Sequence, residues 1–242
     1  MKKLLFTLLA FPFFANAQSL IGGSNIIKWN LSSLALNNYH FTYERHIYKS
    51  LSISVSYRTM PFGNVPYQKQ FQDLINSNEI NFSRFQMGNT AITIEPRIYL
   101  SLKKMKGFYI APYLRFATFD VGAPVKYSSN ATVPPTSKDA DFTGKIKSTS
   151  GGLLIGYQFQ LLKKLVLDFQ IIGGHYGKSS GDLNFVAPLG PFEQQSLRDN
   201  LKNININPFT FTSTVTANGA QITTDGPWAG IRGLNLGLGF RF

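Results

Sequence analysis

The chain has 242 residues, a formal net charge of +12 and no cysteine. The absence of cysteine excludes disulfides, thiolate metal sites and a lipid-anchored lipoprotein. The positive charge could suit nucleic acid, but the secretory signal pattern at residues 1–17 predicts export, and an exported chain meets little nucleic acid. Anionic lipid headgroups and lipopolysaccharide are therefore the expected partners, with no nucleic acid and no cofactor.

The chain begins with the pattern of a secretory signal peptide. A positive Lys2-Lys3 pair precedes an apolar core from Leu4 to Phe14 and a small-x-small cleavage site at Ala15-Asn16-Ala17. The apolar core is too short to span a bilayer, and the alternative is an uncleaved N-terminal anchor. The sequence predicts a signal peptide over residues 1–17 and a single mature domain over residues 18–242.

Period-two alternation predicts eight strands in the mature chain. Their predicted bounds are Asn25–Leu31, Tyr39–His46, Leu51–Thr59, Thr90–Leu102, Phe108–Thr118, Ser150–Leu161, Leu165–Gly173 and Ile231–Phe242. Most are close to the roughly 9 to 11 residues that a tilted strand needs to cross a membrane. In the last strand, Phe240 and Phe242 look like the signal that the barrel assembly machinery reads.

The predicted connections are alternately brief and long. The brief ones are Ile47–Ser50, Lys103–Lys106 and Lys163–Lys164, and the long ones are Met60–Asn89, Phe119–Thr149 and Gly174–Gly230. Short periplasmic turns and long extracellular loops are typical of outer-membrane barrels. We therefore predict an all-β, eight-stranded antiparallel transmembrane β-barrel, a monomer in a Gram-negative outer membrane with both termini in the periplasm. Alternation alone also fits a soluble β-sandwich.

The two faces of the predicted strands differ in polarity. The predicted lipid-facing residues are Ile27, Trp29, Leu31, Tyr39, Phe41, Tyr43, Leu51, Ile53, Val55, Tyr57, Ile92, Ile94, Ile98, Leu100, Phe108, Ile110, Leu114, Phe116, Leu153, Ile155, Tyr157, Phe159, Leu161, Leu165, Leu167, Phe169, Ile171, Leu234, Leu236, Leu238, Phe240 and Phe242. The predicted inner face carries Lys28, Glu44, Ser52, Ser54, Ser56, Arg58, Thr93, Glu95, Arg97, Tyr113, Arg115, Gln158, Gln160, Asp168, Gln170, Asn235 and Arg241.

Several local features depart from the regular pattern of eight strands. Pro96 and Pro112 fall inside strands of a barrel that has no edge, which predicts bulges there. Helical spacing predicts short helices over Tyr67–Asn76 and Pro191–Lys202. An Asn-Gly signal between alternating segments predicts an extracellular hairpin over residues 209–224, with a disordered polar loop as the alternative.

Five stretches resemble an uncharacterised, Bacteroidota-type family of small outer-membrane β-barrels known as domain-of-unknown-function proteins. They are Tyr43-Glu44-Arg45, Ile94-Glu95-Pro96-Arg97-Ile98-Tyr99, Gly107-Phe108-Tyr109-Ile110-Ala111-Pro112-Tyr113, Gly173-Gly174-His175-Tyr176-Gly177 and Asp225-Gly226-Pro227-Trp228-Ala229-Gly230. The resemblance spans essentially the whole mature chain. It implies a barrel in the outer membrane and brings no activity.

The inner charges predict an ion-pair core in the lumen. An eight-stranded barrel has an interior that side chains can fill, and unpaired charges there are costly. The predicted lumen core consists of Glu44, Arg58, Glu95, Arg97, Arg115, Asp168 and Arg241. The functional alternative, an ion or substrate pathway, needs a wider lumen.

One glycine-rich segment offers candidate catalytic residues. His175, Ser179 or Ser180, and Asp182 supply the residue types of a hydrolase that acts on lipid A near the outer leaflet. Their spacing is unspecific, and a loop anchor is the simpler interpretation. His40 and His46 are too far apart for one metal ion, so no metal site is predicted. The expected function is a structural or surface-binding role without catalysis; the alternatives are a lipid-modifying enzyme and a narrow pore.

Overall fold

The computed structural model describes residues 24–65, 79–101, 103–131, 133–204 and 208–242. The predicted signal peptide and the predicted helix over Tyr67–Asn76 lie outside these residues. In chain order the strands and the α-helix are β1 (Asn25–Asn30), β2 (Tyr39–Tyr48), β3 (Leu51–Asn64), β4 (Gln86–Tyr99), β5 (Gly107–Ser129), β6 (Thr136–Gln160), β7 (Leu165–Val186), α1 (Pro191–Asn203), β8 (Thr210–Thr216) and β9 (Gly219–Arg241). Two short 3-10 helices are Ser32–Leu36 and Phe82–Arg84.

The strands close into a ring. Each strand from β1 to β6 pairs antiparallel with the next, β7 pairs with β9, and β9 pairs back with β1, where Ile27 lies opposite Phe240. The ring therefore has eight strands and no open edge, while β8 lies beside β9 outside it. This confirms the predicted all-β, eight-stranded antiparallel barrel.

The two ends of the ring are unlike. At the turn end, short connections at residues 49–50, 100–106 and 161–164 join β2 to β3, β4 to β5 and β6 to β7, as predicted. At the hairpin end, β5 and β6 stay paired up to Ser129 and Thr136, and β7 and β9 stay paired up to Val186 and Gly219. The prediction of long loops over Phe119–Thr149 and Gly174–Gly230 is therefore wrong, because strands occupy most of both segments.

The long strands were missed because their alternation inverts along their length. Near the hairpin end of β6, Lys145 and Lys147 point outward while Phe142 points inward. Nearer the turn end of the same strand, Leu153 points outward and Gln158 inward. The outer face thus changes from polar to apolar along the strand. A pattern of apolar outer residues therefore predicts only the part of β6 that lies near the turn end.

A separate apolar core lies at the hairpin end. Its buried residues are Val121, Ala123, Val125, Tyr127, Ala140, Phe142, Leu183, Leu189, Leu197, Leu201, Ala220 and Ile222. Leu197 and Leu201 belong to α1, so the helix packs on the extended sheet as a cap. This confirms the helix predicted over Pro191–Lys202.

The predicted hairpin is present as β8 and the start of β9. Thr216 pairs with Gly219 at its tip. Gly219 has φ +136°, and a Cβ atom there would lie 2.1 Å from the carbonyl oxygen of Phe185, so the turn requires glycine. The hairpin is therefore part of the sheet and not a disordered polar loop.

A belt of apolar side chains surrounds the ring between the turn end and the polar outer face. It runs from Phe108 to Phe116 on β5 and from Leu153 on β6 to Leu161 just after that strand, close to the roughly 9 to 11 residues of a membrane-spanning strand. Its exposed members include Ile27, Trp29, Phe41, Tyr57, Ile92, Ile98, Leu114, Leu153, Phe159, Leu234 and Phe240. This apolar outer face is the one predicted from the sequence.

The prolines do not form the predicted bulges. The β4–β5 register is unchanged on either side of a gap, from Ile94 opposite Leu114 to Ile98 opposite Ile110, and this register places Pro96 opposite Pro112. Because the two residues that lack an N–H face each other, they share one gap in the hydrogen-bond ladder. Register shifts occur elsewhere in the ring, between β2 and β3, between β3 and β4, and in a bulge between β6 and β7.

At that bulge, Ile155 pairs with Ile172 and Gly156 with Gln170, so Ile171 has no partner on β6. The extra residue reverses the direction of the side chains that follow it. Asp168 and Gln170 point inward before the bulge, and His175 lies on the inner side after it. The prediction that Ile171 belongs to the regular outer row is corrected: Ile172 is the exposed residue.

Candidate functional site

Six charged side chains meet in the lumen, and we call them the lumen cluster: Lys28, Glu44, Glu95, Arg97, Asp168 and Arg232. They come from β1, β2, β4, β7 and β9, and salt bridges join them. Lys28 Nζ lies 2.5 Å from Glu44 Oε2 and 2.6 Å from Asp168 Oδ2. Arg97 lies 2.7 Å from Asp168, 3.3 Å from Glu44 and 2.9 Å from Glu95. Three carboxylates balance three cations, so the cluster is neutral.

Every carboxylate oxygen of the lumen cluster accepts a hydrogen bond. Tyr99 and Ser52 each donate to Glu44 Oε1 over 2.6 Å, and Tyr109 donates to Asp168 Oδ1 over 2.8 Å. Among the fully buried polar atoms of the cluster, Arg97 Nε has no partner within the described chain. A buried charge group of this kind is tolerated because its charges are paired and its oxygens satisfied.

The cluster and its neighbours fill the ring. Ser52 on β3, Tyr109 on β5 and Gln158 on β6 contact it, so all eight strands contribute a side chain. Gln158 is fully buried and accepts a hydrogen bond from Lys28. Filling by side chains is what an eight-stranded barrel allows.

The predicted lumen core is only partly assembled. The structure brings together Glu44, Glu95, Arg97 and Asp168, but Arg58, Arg115 and Arg241 have no carboxylate within 4 Å among the described residues. Arg58 Nε donates to Asn38 Oδ1 over 2.9 Å, and Arg115 contacts Thr93 Oγ1 at 3.4 Å. Arg241 donates to the carbonyl oxygen of Met105 over 2.8 Å at the turn end.

Two cations of the cluster were missing from the predicted core. Lys28 was on the predicted inner face, where the three carboxylates needed cationic partners. The sequence could therefore have identified Lys28 as a member of the cluster. The sequence pattern did not indicate Arg232, because regular alternation from Leu234 places Arg232 on the outer face. β9 stays in register with bulged β7 and changes face with it, so Asn235 and Arg232 both point inward.

The candidate catalytic residues are not brought together. His175, Ser179 and Asp182 lie within β7 and not in a loop. Ser179 is four residues from His175, a separation of about 13 Å along a strand, and Asp182 projects from the opposite face. Asp182 instead accepts a hydrogen bond from Thr223 over 2.7 Å. No charge-relay geometry exists among these three residues.

The histidines make structural contacts. His175 Nδ1 lies 3.1 Å from the hydroxyl of Tyr113, His40 Nδ1 lies 3.3 Å from the amide nitrogen of Asn30, and His46 Nε2 lies 2.8 Å from the carbonyl oxygen of Lys49. In the described part of the chain, no three His, Asp or Glu side chains are grouped so that they could hold a metal ion. None of its helices is long and apolar enough to cross a membrane.

The ring and its interior define a closed eight-stranded β-barrel with a charge-balanced cluster of side chains across its lumen. The chain belongs to the family described as "Protein of unknown function (DUF3575)", whose model matches residues 3–187. No curated protein matches the sequence.

Two solved structures are similar in part. The N-terminal β-barrel domain of Pseudomonas aeruginosa OprF matches with 9% identity and a TM-score of 0.31, over 90% of this chain and 98% of that one. Neisserial surface protein A (NspA) matches with 12% identity and a TM-score of 0.30, over 91% of this chain and 98% of that one. The fold assignment depends on the strand pairing and not on these likenesses.

Proposed function

We propose that this protein is an outer-membrane β-barrel with a structural or surface-binding role. The observation that carries the proposal is the inversion of polarity along single strands. On β6 an outer face with Lys145 and Lys147 gives way to one with Leu153 and Phe159 while the inner face changes in the opposite sense. Water around the hairpin end and lipid around the belt account for both changes.

The proposed orientation places the turn end in the periplasm and the hairpin end outside the cell. Short turns on the periplasmic side and long extensions outside are typical of such barrels. Lys103, Lys104, Lys163 and Lys164 lie in the turns at that end, beside the belt, where cations suit lipid phosphates. Asn25 and Phe242 exchange backbone hydrogen bonds of 3.1 and 3.0 Å there.

The remaining parts of the proposal concern maturation and partners. Residues 1–17 serve as the export signal and residues 18–242 form the mature monomeric domain. The barrel assembly machinery inserts it and reads Phe240 and Phe242. Outer-membrane lipids and lipopolysaccharide surround the belt.

A binding role is favoured by the cap at the hairpin end. β5, β6, β7 and β9 extend well past the belt and carry their own apolar core under α1. A barrel that consisted only of its membrane-spanning segment would need only short connections at the hairpin end. The extension therefore supplies a stable, shaped surface on the outer side.

The test combines membrane insertion with labelling of single cysteines, which the natural chain lacks. Ala131→Cys places a thiol at the hairpin end, and Lys163→Cys places one at the turn end. We expect heat-modifiable protein in the outer-membrane fraction of a Gram-negative host. A membrane-impermeant maleimide should label Ala131→Cys in intact cells and Lys163→Cys only after the outer membrane is opened.

Recovery of the wild-type chain only in the soluble fraction would disprove the proposed location. Labelling of Lys163→Cys but not Ala131→Cys in intact cells would invert the orientation. Both variants carry the substitution in a connection and not in a belt strand, so insertion itself should be unchanged.

A further inference from the structure

A cavity of about 300 Å³ lies on the hairpin side of the lumen cluster. This volume is at the small end of the range for small-molecule sites. Its polar lining includes Asn38, Arg58, Asn89, Arg115, His175 and Arg232. Its apolar lining includes Met60, Val65, Met87, Phe119, Trp228 and Ile231. The lining of the cavity is therefore partly polar and partly apolar.

In the described part of the chain, the cations at this cavity outnumber the carboxylates that pair with them. Arg232 belongs to the neutral lumen cluster through its 2.6 Å contact with Glu95. Arg58 and Arg115 have no carboxylate within 4 Å in the described ranges, and their hydrogen bonds go to the neutral side chains of Asn38 and Thr93. Two positive charges are thus left over at the cavity.

Most donors of the two arginines have no partner among the described residues. Each guanidinium carries five N–H donors in a fixed fork, and in each case one contact to a neutral side chain is formed. Arg115 is buried and Arg58 half-buried. Holding two like charges in such a place is costly unless an anion joins them.

The apolar wall is formed by packed aromatic rings. The ring centroids of Phe119 and Trp228 are 4.8 Å apart, and Met60 and Val65 are buried beside them. A simple inorganic anion would leave this wall in contact with water. A ligand with both an oxyanion and a hydrophobic part would satisfy both sides.

We propose that this cavity binds a small amphipathic anion that has a carboxylate or phosphate head and a short apolar body. Arg58 and Arg115 hold the oxyanion through charge-assisted, bidentate hydrogen bonds. The apolar body lies against Phe119, Trp228 and Met60. This inference rests on the proposed surface-binding function and names its ligand class.

The same chemistry could come from a free solute or from the headgroup of a lipid in the outer leaflet. n-Hexyl phosphate represents the free solute, and lysophosphatidic acid in phosphatidylcholine vesicles represents the lipid. n-Hexanol is the neutral control. The chain has two tryptophans, so a Trp29→Phe background leaves Trp228 as the sole tryptophan reporter in the cavity wall.

Titrations of the refolded, vesicle-inserted protein follow Trp228 fluorescence. We expect a saturable change with hexyl phosphate and none with hexanol. Arg58→Gln and Arg115→Gln should each weaken binding at least tenfold, since each removes a charged hydrogen-bond donor. Arg241→Gln should bind as the parent does, because Arg241 is an unpaired lumen arginine at the opposite end of the barrel.

A response to hexyl phosphate supports a free-solute ligand, and a response to lysophosphatidic acid alone supports a lipid. Equal responses to hexanol, unchanged binding in both arginine variants, or no response to either anion would overturn the inference. Heat-modifiable migration of the same samples reports insertion. An inserted barrel that binds no anion overturns this inference alone, whereas a chain that fails to insert overturns the proposed function.

Discussion

Arg232 and Glu95 meet across the lumen, with Nη1 of the arginine 2.6 Å from Oε1 of the carboxylate. The contact links β9 to β4, which are not neighbours in the ring. The other oxygen of Glu95 lies 2.9 Å from Arg97. Glu95 therefore joins Arg232 to the rest of the lumen cluster, and its removal leaves two buried cations with fewer partners.

Replacing Glu95 should strongly destabilise the barrel. Removing one partner of a buried ion pair typically costs about 3 to 5 kcal/mol, because the remaining charge stays buried without compensation. We expect Glu95→Ala to lose free energy of unfolding in this range and to lose resistance to heat in detergent. Equilibrium urea unfolding in lipid vesicles measures the change.

Asp182→Ala is the matched control for Glu95→Ala. Asp182 is an exposed carboxylate on the outer side of β7 that accepts a hydrogen bond from Thr223. Exposed substitutions of this kind mostly stay within about 0.5 kcal/mol. Equal effects of the two substitutions would contradict a stabilising role for the lumen cluster.

Replacing Arg115 should have the opposite sign. Arg115 is buried with other arginines near it and without a carboxylate within 4 Å in the described part of the chain. Arg115→Gln keeps a polar side chain and removes a repulsive charge, a gain on the order of 1 kcal/mol. For a chain of this size that is roughly 2 to 4 °C in the unfolding temperature.

The Arg115→Gln gain is measured without ligand by thermal unfolding at low ionic strength. Arg97→Gln provides the contrast, since Arg97 is paired with three carboxylates and its loss should destabilise. A fall in stability for Arg115→Gln as large as that for Arg97→Gln would mean that Arg115 has a structural partner after all.

The sequence predicted the belt and the ring because these follow from local rules. In the belt, apolar outer residues recur at every second position over long stretches, as from Leu234 to Phe242. The short turns at residues 49–50 and 161–164 interrupt that alternation sharply. Strand number and pairing order follow from these signals alone.

The strand segments at the hairpin end, and the presence of Arg232 in the lumen cluster, could not be predicted in the same way. Beyond the belt the outer face is polar, so Lys145 and Lys147 look like loop residues although they lie in β6. At the bulge one unpaired residue, Ile171, reverses the faces of β7, and β9 follows. Arg232 therefore belongs to the lumen cluster, although the sequence pattern predicts that its side chain points outward.

The filled lumen predicts a barrel that does not conduct. Lys28, Arg97 and Asp168 meet near the axis, and all eight strands contribute to the cluster or its contacts. We expect purified protein in planar lipid bilayers to show no stable open-channel current. Arg97→Ala with Asp168→Ala, which removes a cation and an anion together, is the variant most suited to create a leak.

A steady open-channel current from the wild-type protein would contradict a filled lumen. Insertion is checked in the same preparation by heat-modifiable migration, so that a silent bilayer is not mistaken for absent protein. The Asp182→Ala variant serves again as the control, because it leaves the lumen unchanged.

The docking of α1 should depend on pH through Glu193. Ser129 donates to Glu193 Oε1 over 2.5 Å and the backbone N–H of Gly190 donates to Oε2 over 2.9 Å. These hydrogen bonds hold the pKa of Glu193 below its ordinary value, with Lys138 adding a weaker attraction. A lowered pKa in the folded state means that the stabilisation is fully present above the ordinary glutamate pKa of about 4.3. It is lost as the pH falls through the lower, folded-state value.

We therefore expect hydrogen exchange in α1 to accelerate below about pH 4, while exchange in the belt strands stays slow. Hydrogen exchange measured by mass spectrometry after correction for the intrinsic pH dependence of exchange gives both signals in one experiment. Glu193→Gln keeps the shape of the side chain but cannot ionise, so it should show weaker protection at neutral pH and little further change on acidification. If wild type and Glu193→Gln lose protection of α1 along the same pH curve, another group controls the docking. Acceleration in the belt at the same pH would instead indicate that the whole barrel opens.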